Sequence, residues 1–239
     1  MINPIELKKK YLQSREKLFS SLLSSNDGVT FNKNHTILVD SIVQELVLGI
    51  QKQFPVSDFS LIAVGGYGRQ DLSPKSDVDL LFLYKKSNKN IREFITALNN
   101  SLWDIGLEVG ISFLTLKQAI IDSKKDIKTV TKFAESRHLI GDEDYYGEFV
   151  RSIKILIGKL NSLKLSEKKL LELVERHDFY LGIKSNLEPQ IKEGIGGLRD
   201  IHTIIWVSIF MFNILKLEDL IQINIFTSKE IKELRSAWI

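Results

Sequence analysis

Asp77 and Asp79 are two carboxylates separated by a single valine. They follow a glycine-rich turn in the run Leu61-Ile62-Ala63-Val64-Gly65-Gly66-Tyr67-Gly68-Arg69-Gln70-Asp71-Leu72-Ser73-Pro74-Lys75-Ser76-Asp77-Val78-Asp79-Leu80-Leu81-Phe82-Leu83-Tyr84. A strand repeats every two residues, so both carboxylates leave one face together. Two carboxylates held that close repel unless a cation sits between them. Magnesium, with hard oxygen ligands and substrate phosphates completing its shell, is the natural occupant. Gly65, Gly66 and Gly68 let the backbone approach a ligand closely, and amides in such a turn can cradle a triphosphate. The run is no Walker loop, because no Gly-Lys-Ser/Thr follows, and Asp71 stands where a dinucleotide fingerprint has its third glycine.

Each residue also has a plain reading. A bare Gly-Gly-Tyr-Gly is a tight turn; its coupling to Ser76-Asp77-Val78-Asp79 gives it weight. Solvated aspartates at a strand edge are disfavoured, since Leu80 to Leu83 mark a buried strand, where unpaired charge is costly. Arg69 lies in the turn and can pair with phosphates; as a surface salt bridge it would be worth little.

The elements that must position these groups follow from periodicity. Residues 4–24 and 36–53 carry apolar residues at helical spacing, among them Ile42, Val43, Leu46, Val47 and Ile50. Asn26-Asp27-Gly28 separates the two helices and Pro55 ends the second. Residues 60–64 and 78–84 read as strands, the second central and covered on both faces. Residues 90–104 read as a helix and 108–116 as a third strand. The pattern predicts an α+β fold: a small mixed sheet with flanking helices. From about residue 117 onward there is almost no strand signal, and segments 126–140, 143–162, 166–187 and 198–216 read as helices, with another from 227. The heptad-like stretch 166–181 reads as core packing. A soft boundary near residue 140, before the helix-start turn Gly141-Asp142-Glu143-Asp144, gives a domain 1–140 and an all-helical domain 141–239. The chain ends at Ser236-Ala237-Trp238-Ile239 inside a helical pattern, as an excised piece of something longer would.

Composition narrows the class. The chain has 239 residues, 44% of them hydrophobic, enough for a proper core. Its net charge of +3 argues for no nucleic-acid partner. The absence of cysteine excludes disulfides and thiolate metal sites and fits a cytoplasmic location. No signal-peptide core opens the chain, and the apolar stretch from Ile201 to Leu217 is too short and too polar for a membrane span. His177-Asp178 lacks the rest of a metal phosphohydrolase constellation, so His177 reads as a satisfied or exposed helical histidine.

The pattern Gly-Gly-Tyr-Gly-Arg, then Leu-Ser-Pro-x-Ser-Asp-x-Asp-Leu-Leu, resembles the polymerase-beta-type nucleotidyltransferase superfamily. More narrowly, it is similar to the bacterial PII uridylyltransferase/uridylyl-removing enzymes. Trp103-Asp104-Ile105-Gly106-Leu107-Glu108-Val109-Gly110 resembles their segment after the first helix. Lys192-Glu193-Gly194-Ile195-Gly196-Gly197-Leu198-Arg199-Asp200-Ile201-His202-Thr203 resembles a signature of their helical second domain. One departure stands out: where that family usually continues His-Ser-Val-Arg-Thr, this chain has Ile111-Ser112-Phe113-Leu114-Thr115.

The resemblance implies a chemistry. A tyrosine hydroxyl of the PII signal protein attacks the α-phosphate of UTP, pyrophosphate leaves, and UMP stays on PII. Asp77 and Asp79 hold Mg2+; Gly65, Gly66 and Ser76 contact phosphates; Glu108 is the candidate third carboxylate, with Asp104 close by. Lys192 and Arg199 are candidate substrate contacts or, equally, surface residues of an inter-helix turn. The family's removing activity and glutamine sensing belong to further C-terminal domains, so transferase chemistry alone is expected here. Two alternatives remain open: adenylyl transfer to glutamine synthetase by a related enzyme, and a catalytically silent module that docks PII or a nucleotide.

Overall fold

A computed structural model describes residues 4–25, 27–182 and 190–238, with residues 237 and 238 described by backbone alone. The expected loop residue Asn26, the 183–187 end of an expected helix, and Ile239 lie outside the described residues. The chain divides into two compact units, Met1–Ile153 and Lys154–Ile239. The division falls inside a helix, whereas the sequence suggests a boundary near residue 140.

The first unit opens with helices α1 (Pro4–Ser25) and α2 (Gly28–Gln53). Asp27 caps α2, its carboxylate accepting the Thr30 N–H at 3.0 Å. Strand β1 (Phe59–Ala63) runs into a single helical turn α3 (Gly65–Gly68), then strand β2 (Val78–Tyr84). Helix α4 (Lys89–Ile105) starts at an Asn88 cap and stops at Gly106, whose φ of 85° is left-handed. Strand β3 (Val109–Leu114), helices α5 (Leu116–Lys125) and α6 (Ile127–Ala134), and strand β4 (Arg137–Gly141) complete the sheet. Helix α7 (Glu143–Lys159) follows.

The sheet has the order β3-β2-β1-β4. β1 pairs antiparallel with β2 and β4, while β2 and β3 are parallel. A parallel neighbour needs a crossover, which α4 supplies. β2 is inner, and its run Leu80 to Leu83 is buried on both faces, as its unbroken apolar sequence requires. Val78, Leu80 and Phe82 pack into one core with Phe59, Leu61 and Ala63 of β1 and with Val39, Val43 and Leu46 of α2. Phe59, Phe82 and Phe94 cluster there, with centroids 4.9 to 5.5 Å apart.

The sequence misses one strand. Residues 126–140 read as a single helix, but α6 ends at Ala134 and Arg137–Gly141 is β4. The helix stops where Glu135 leaves helical geometry, and Arg137–Gly141 then gains its backbone partners from β1, far away in the chain. Gly141 sits at φ 108°, and a Cβ there would stand 2.4 Å from the Phe59 carbonyl oxygen, so only glycine closes this pairing.

In the second unit every described element is helical: α8 (Ser162–Gly182), α9 (Leu198–Phe212), a 3-10 turn Leu217–Ile221 and α10 (Ser228–Trp238). α9 buries Ile201, Ile205, Trp206, Ile209 and Phe210, and ends at Asn213 in the left-handed region. The expectation of core packing for 166–181 is overturned at Leu170, Leu171, Val174 and Phe179, each at least half exposed. No described helix is long and apolar enough to cross a membrane.

Candidate active site

Asp79 is the second residue of β2, paired in register with Gly110 of β3. Paired residues of parallel strands share a face. A Cβ on Gly110 would therefore lie only 2.9 Å from Asp79 Oδ1, and a Cβ on Gly65 3.5 Å from Oδ2. Two side-chain-free positions, from two separate elements, thus flank one half-buried carboxylate. Gly65 has a φ of 60°, a left-handed conformation that glycine adopts without strain. The Val64 N–H donates to the Asp79 carbonyl at 3.1 Å and holds the turn beside β2.

Asp77 lies just ahead of β2 and is exposed; it stands two residues from Asp79. Glu108 lies just ahead of β3, also exposed, and its carbonyl accepts the Val78 N–H at 2.7 Å. Both aspartates, Glu108 and the glycine turn therefore gather at one end of the sheet, where β1 ends and β2 and β3 begin. Among the described residues no group of three or more His, Asp or Glu side chains is placed to hold a metal ion. The Glu108 carboxylate thus does not close a three-membered cage with the pair.

Lys132, from α6, completes the arrangement and is absent from the sequence reading. Its Nζ lies 2.7 Å from Asp79 Oδ1, and both side chains are 34% exposed. Its Cγ would lie 3.9 Å from a Cβ on Gly65, so the stem runs beside the turn. On sequence alone, a lysine on an amphipathic helix looks like part of a solvated face; only the folded sheet brings it to Asp79.

The turn itself is held from beneath. Tyr67 is fully buried, and burial raises its hydroxyl well above the ordinary tyrosine range. Arg137 of β4 forks onto Asp40 of α2, with its NH1 2.8 Å from Oδ2 and NH2 3.0 Å from Oδ1, and its guanidinium lies over the Tyr67 ring. Arg69 does not extend into solvent: its NH1 reaches Glu135 Oε2 at 2.6 Å, and that carboxylate side chain is 2% exposed. A Cβ on Gly68 would meet the Glu135 carbonyl oxygen at 1.8 Å, so the turn and the segment leading into β4 touch backbone to backbone.

The loop from Arg69 to Asp77 is fastened to the first two helices. Asn32 Nδ2 donates to Asp71 Oδ1 at 2.8 Å, His35 Nδ1 donates to the Leu72 carbonyl at 3.0 Å, and Arg15 donates to the Pro74 carbonyl at 3.0 Å. Burial pushes His35 below the ordinary histidine value of 6.5, so it stays neutral near pH 7. Ser76 closes a turn, donating its N–H to the Ser73 carbonyl at 3.1 Å. The helices that open the chain therefore set the approach of Ser76 and Asp77.

Ile111 and Phe113, part of the segment that departs from the family pattern, pair with Leu80 and Phe82 and pack against the main core. By strand alternation that is the face away from Asp79. Replacing a histidine by Ile111 thus changes the core side of β3, not the carboxylate side.

Within the second unit, Lys192 is exposed, and its carbonyl accepts the Arg199 N–H at 2.9 Å. Arg199 NH2 lies 3.1 Å from Glu193 Oε1, and its guanidinium covers the Trp206 ring. Asp200 is the hub of this turn: it binds the Gly196 N–H at 2.8 Å, His177 Nε2 at 3.0 Å and Arg176. Burial alone would raise its carboxyl, but these partners outweigh burial and hold it below the ordinary carboxylate value. His177 is thus a satisfied helical histidine whose partner is Asp200, not its neighbour Asp178.

The donor set at Asp77 and Asp79 fits magnesium. That ion takes one or two carboxylates and leaves the rest of its shell to water and phosphates. The Lys132 ammonium against Oδ1 marks the same position as one suited to positive charge.

A profile described as "Nucleotidyltransferase domain" matches residues 43–140, and one described as "GlnD PII-uridylyltransferase" matches residues 164–239. Among curated relatives named bifunctional uridylyltransferase/uridylyl-removing enzyme, that of Hydrogenovibrio crunogenus is 36% identical over 216 residues, covering 88% of this chain and 23% of that protein. That of Idiomarina loihiensis is 34% identical, covering 94% of this chain and 27% of the relative. That of a Psychrobacter species is 37% identical, covering 83% and 22%. The chain spans about a quarter of the length of the curated relatives it matches.

Proposed function

From its kinship with the PII uridylyltransferases, whose likeness runs through most of this chain, we propose that the protein is a metal-dependent nucleotidyltransferase that moves UMP from UTP to a tyrosine of the PII signal protein. Its nucleotidyltransferase domain comprises residues 1–140, and the helical region that follows carries the Lys192–Asp200 turn. The observation that carries the reading is the Asp79 carboxylate, flanked by Gly65 and Gly110 with no Cβ on either side.

Each residue then has a task. Asp77 and Asp79 offer hard oxygen donors at the mouth of the sheet. Magnesium bound there supplies charge neutralisation for the triphosphate and for the attacking oxygen. The N–H groups of Gly65 and Gly66, in the first turn of α3, have no intrahelical acceptor and would be donors for phosphate oxygens. Ser76 approaches the phosphates from the turn that Arg15 and His35 hold in place. Glu108, just ahead of β3 at the same end of the sheet, does not join the two aspartates as a third metal donor in this arrangement and is kept as a carboxylate near the substrate's approach. Arg69, tied to buried Glu135, fixes the turn in position. Lys192 and Arg199 keep the second unit's turn in shape, and Lys192 is free to meet the acceptor protein.

The test supplies labelled UTP or ATP with magnesium and either PII or glutamine synthetase as acceptor. Label from UTP on PII is the expected result. Label from ATP on glutamine synthetase contradicts the choice of nucleotide and acceptor. Saturable PII binding without pyrophosphate release would show a silent docking module instead.

A further inference from the structure

The Lys132–Asp79 contact has a property that a simple structural ion pair lacks. Its carboxylate is one of the two proposed metal donors, and each side chain is about one-third exposed rather than sealed away. The ammonium sits 2.7 Å from Oδ1, while a magnesium ion bound to the same oxygen would need a separation of about 2.0–2.1 Å. An ammonium and a divalent ion on that same oxygen repel each other at close range, so the incoming ion drives the ammonium away. α6 is fixed by its Asp126 cap, with the Lys128 and Thr129 N–H groups at 3.1 Å, so the helix delivers Lys132 to this point without rearrangement.

We propose that Lys132 is an internal placeholder cation: in the metal-free protein its ammonium neutralises Asp79, and a divalent ion binds by displacing it. The inference rests on the two-carboxylate reading of the site and deepens it. It gives Lys132 a role set by its place in the fold: it keeps the Asp79 carboxylate compensated and oriented between Gly65 and Gly110, and it weakens intrinsic metal affinity by the strength of its own contact. A partly exposed pair is weak enough for a divalent ion to break.

The test measures Mn2+ binding to the full chain by the electron paramagnetic resonance signal of free Mn2+, without nucleotide or acceptor. Lys132→Met removes the competitor, and Mn2+ is expected to bind about fivefold tighter, the scale of one exposed ion pair. Lys132→Arg keeps the competing charge and is expected to stay near wild type. Lys128→Met removes an exposed charge from the same helix and is expected to leave affinity within about twofold. Unchanged or weaker binding in Lys132→Met overturns the proposal, as does an equal gain in Lys128→Met, which would show distant charge rather than displacement. If neither wild type nor Lys132→Met binds Mn2+, the two-carboxylate reading falls as well. Binding that Asp79→Asn abolishes while Lys132→Met leaves it unchanged overturns the placeholder alone.

Discussion

Gly110→Ala separates positioning from stability at the candidate site. The added Cβ would stand 2.9 Å from Asp79 Oδ1, against an ordinary contact of 3.4–4 Å. The atom it meets ends a side chain, so the carboxylate yields rather than the strand. The displacement needed is about 0.5 Å, and misplacing a reacting group by ~1 Å costs roughly a hundredfold in rate. About tenfold is therefore expected here, equivalent to ~1.4 kcal/mol of transition-state stabilisation. Stability should move the other way. Gly110 is outside the left-handed region and lies on edge strand β3, so alanine is compatible with its backbone. Such a substitution typically stabilises by about 0.4–1 kcal/mol, through a less flexible unfolded chain. The assay pairs kcat/KM for labelled UMP transfer to PII with a thermal melt. A roughly tenfold loss of transfer at an equal or higher Tm is the expected outcome. Full activity in the variant would refute the reasoning, because Asp79 would then tolerate a shift that a metal donor cannot.

Gly68→Ala should fail in the opposite manner. Its Cβ would meet backbone, the Glu135 carbonyl oxygen at 1.8 Å, so a loss of about 3 kcal/mol or more is expected; an unchanged urea midpoint would contradict the close approach of the turn to the segment before β4. Stability should also fall as pH drops through 6.5. Burial lowers both His35 and His138 from that value, the unfolded chain therefore binds more protons below it, and folding stability declines toward acid until the folded values are passed. Urea midpoints between pH 7.5 and 5.5 measure this, with a shallower slope expected for His35→Gln; a midpoint that rises on acidification would reverse the sign.

The parts of the fold that were legible in the sequence are those whose signals are local. The glycine turn, the two aspartates and strand β2 announce themselves within 24 consecutive residues. The apolar run Leu80 to Leu83 correctly marks an inner strand, because burial on both faces leaves no room for alternation. β4 was illegible for the converse reason. Its five residues continue the apolar spacing of α6, and only pairing with β1 makes them a strand. Lys132 and Glu135 escaped for the same cause: each is an ordinary charged residue until the sheet sets it against Asp79 or Arg69. His177 shows the limit of adjacency, since its partner proved to be Asp200. The exposed apolar residues of α8 show that helical spacing gives a face but not what covers it.

Pyrophosphate release from UTP in the presence of magnesium and PII, compared among wild type, Asp77→Asn and Asp79→Asn, bears most directly on the carboxylate pair. Each substitution keeps the size of the side chain and removes an anionic oxygen donor, so both variants should fold normally and lose on the order of a hundredfold or more in rate. Near-normal turnover in both would contradict the assignment of these two aspartates to the reaction.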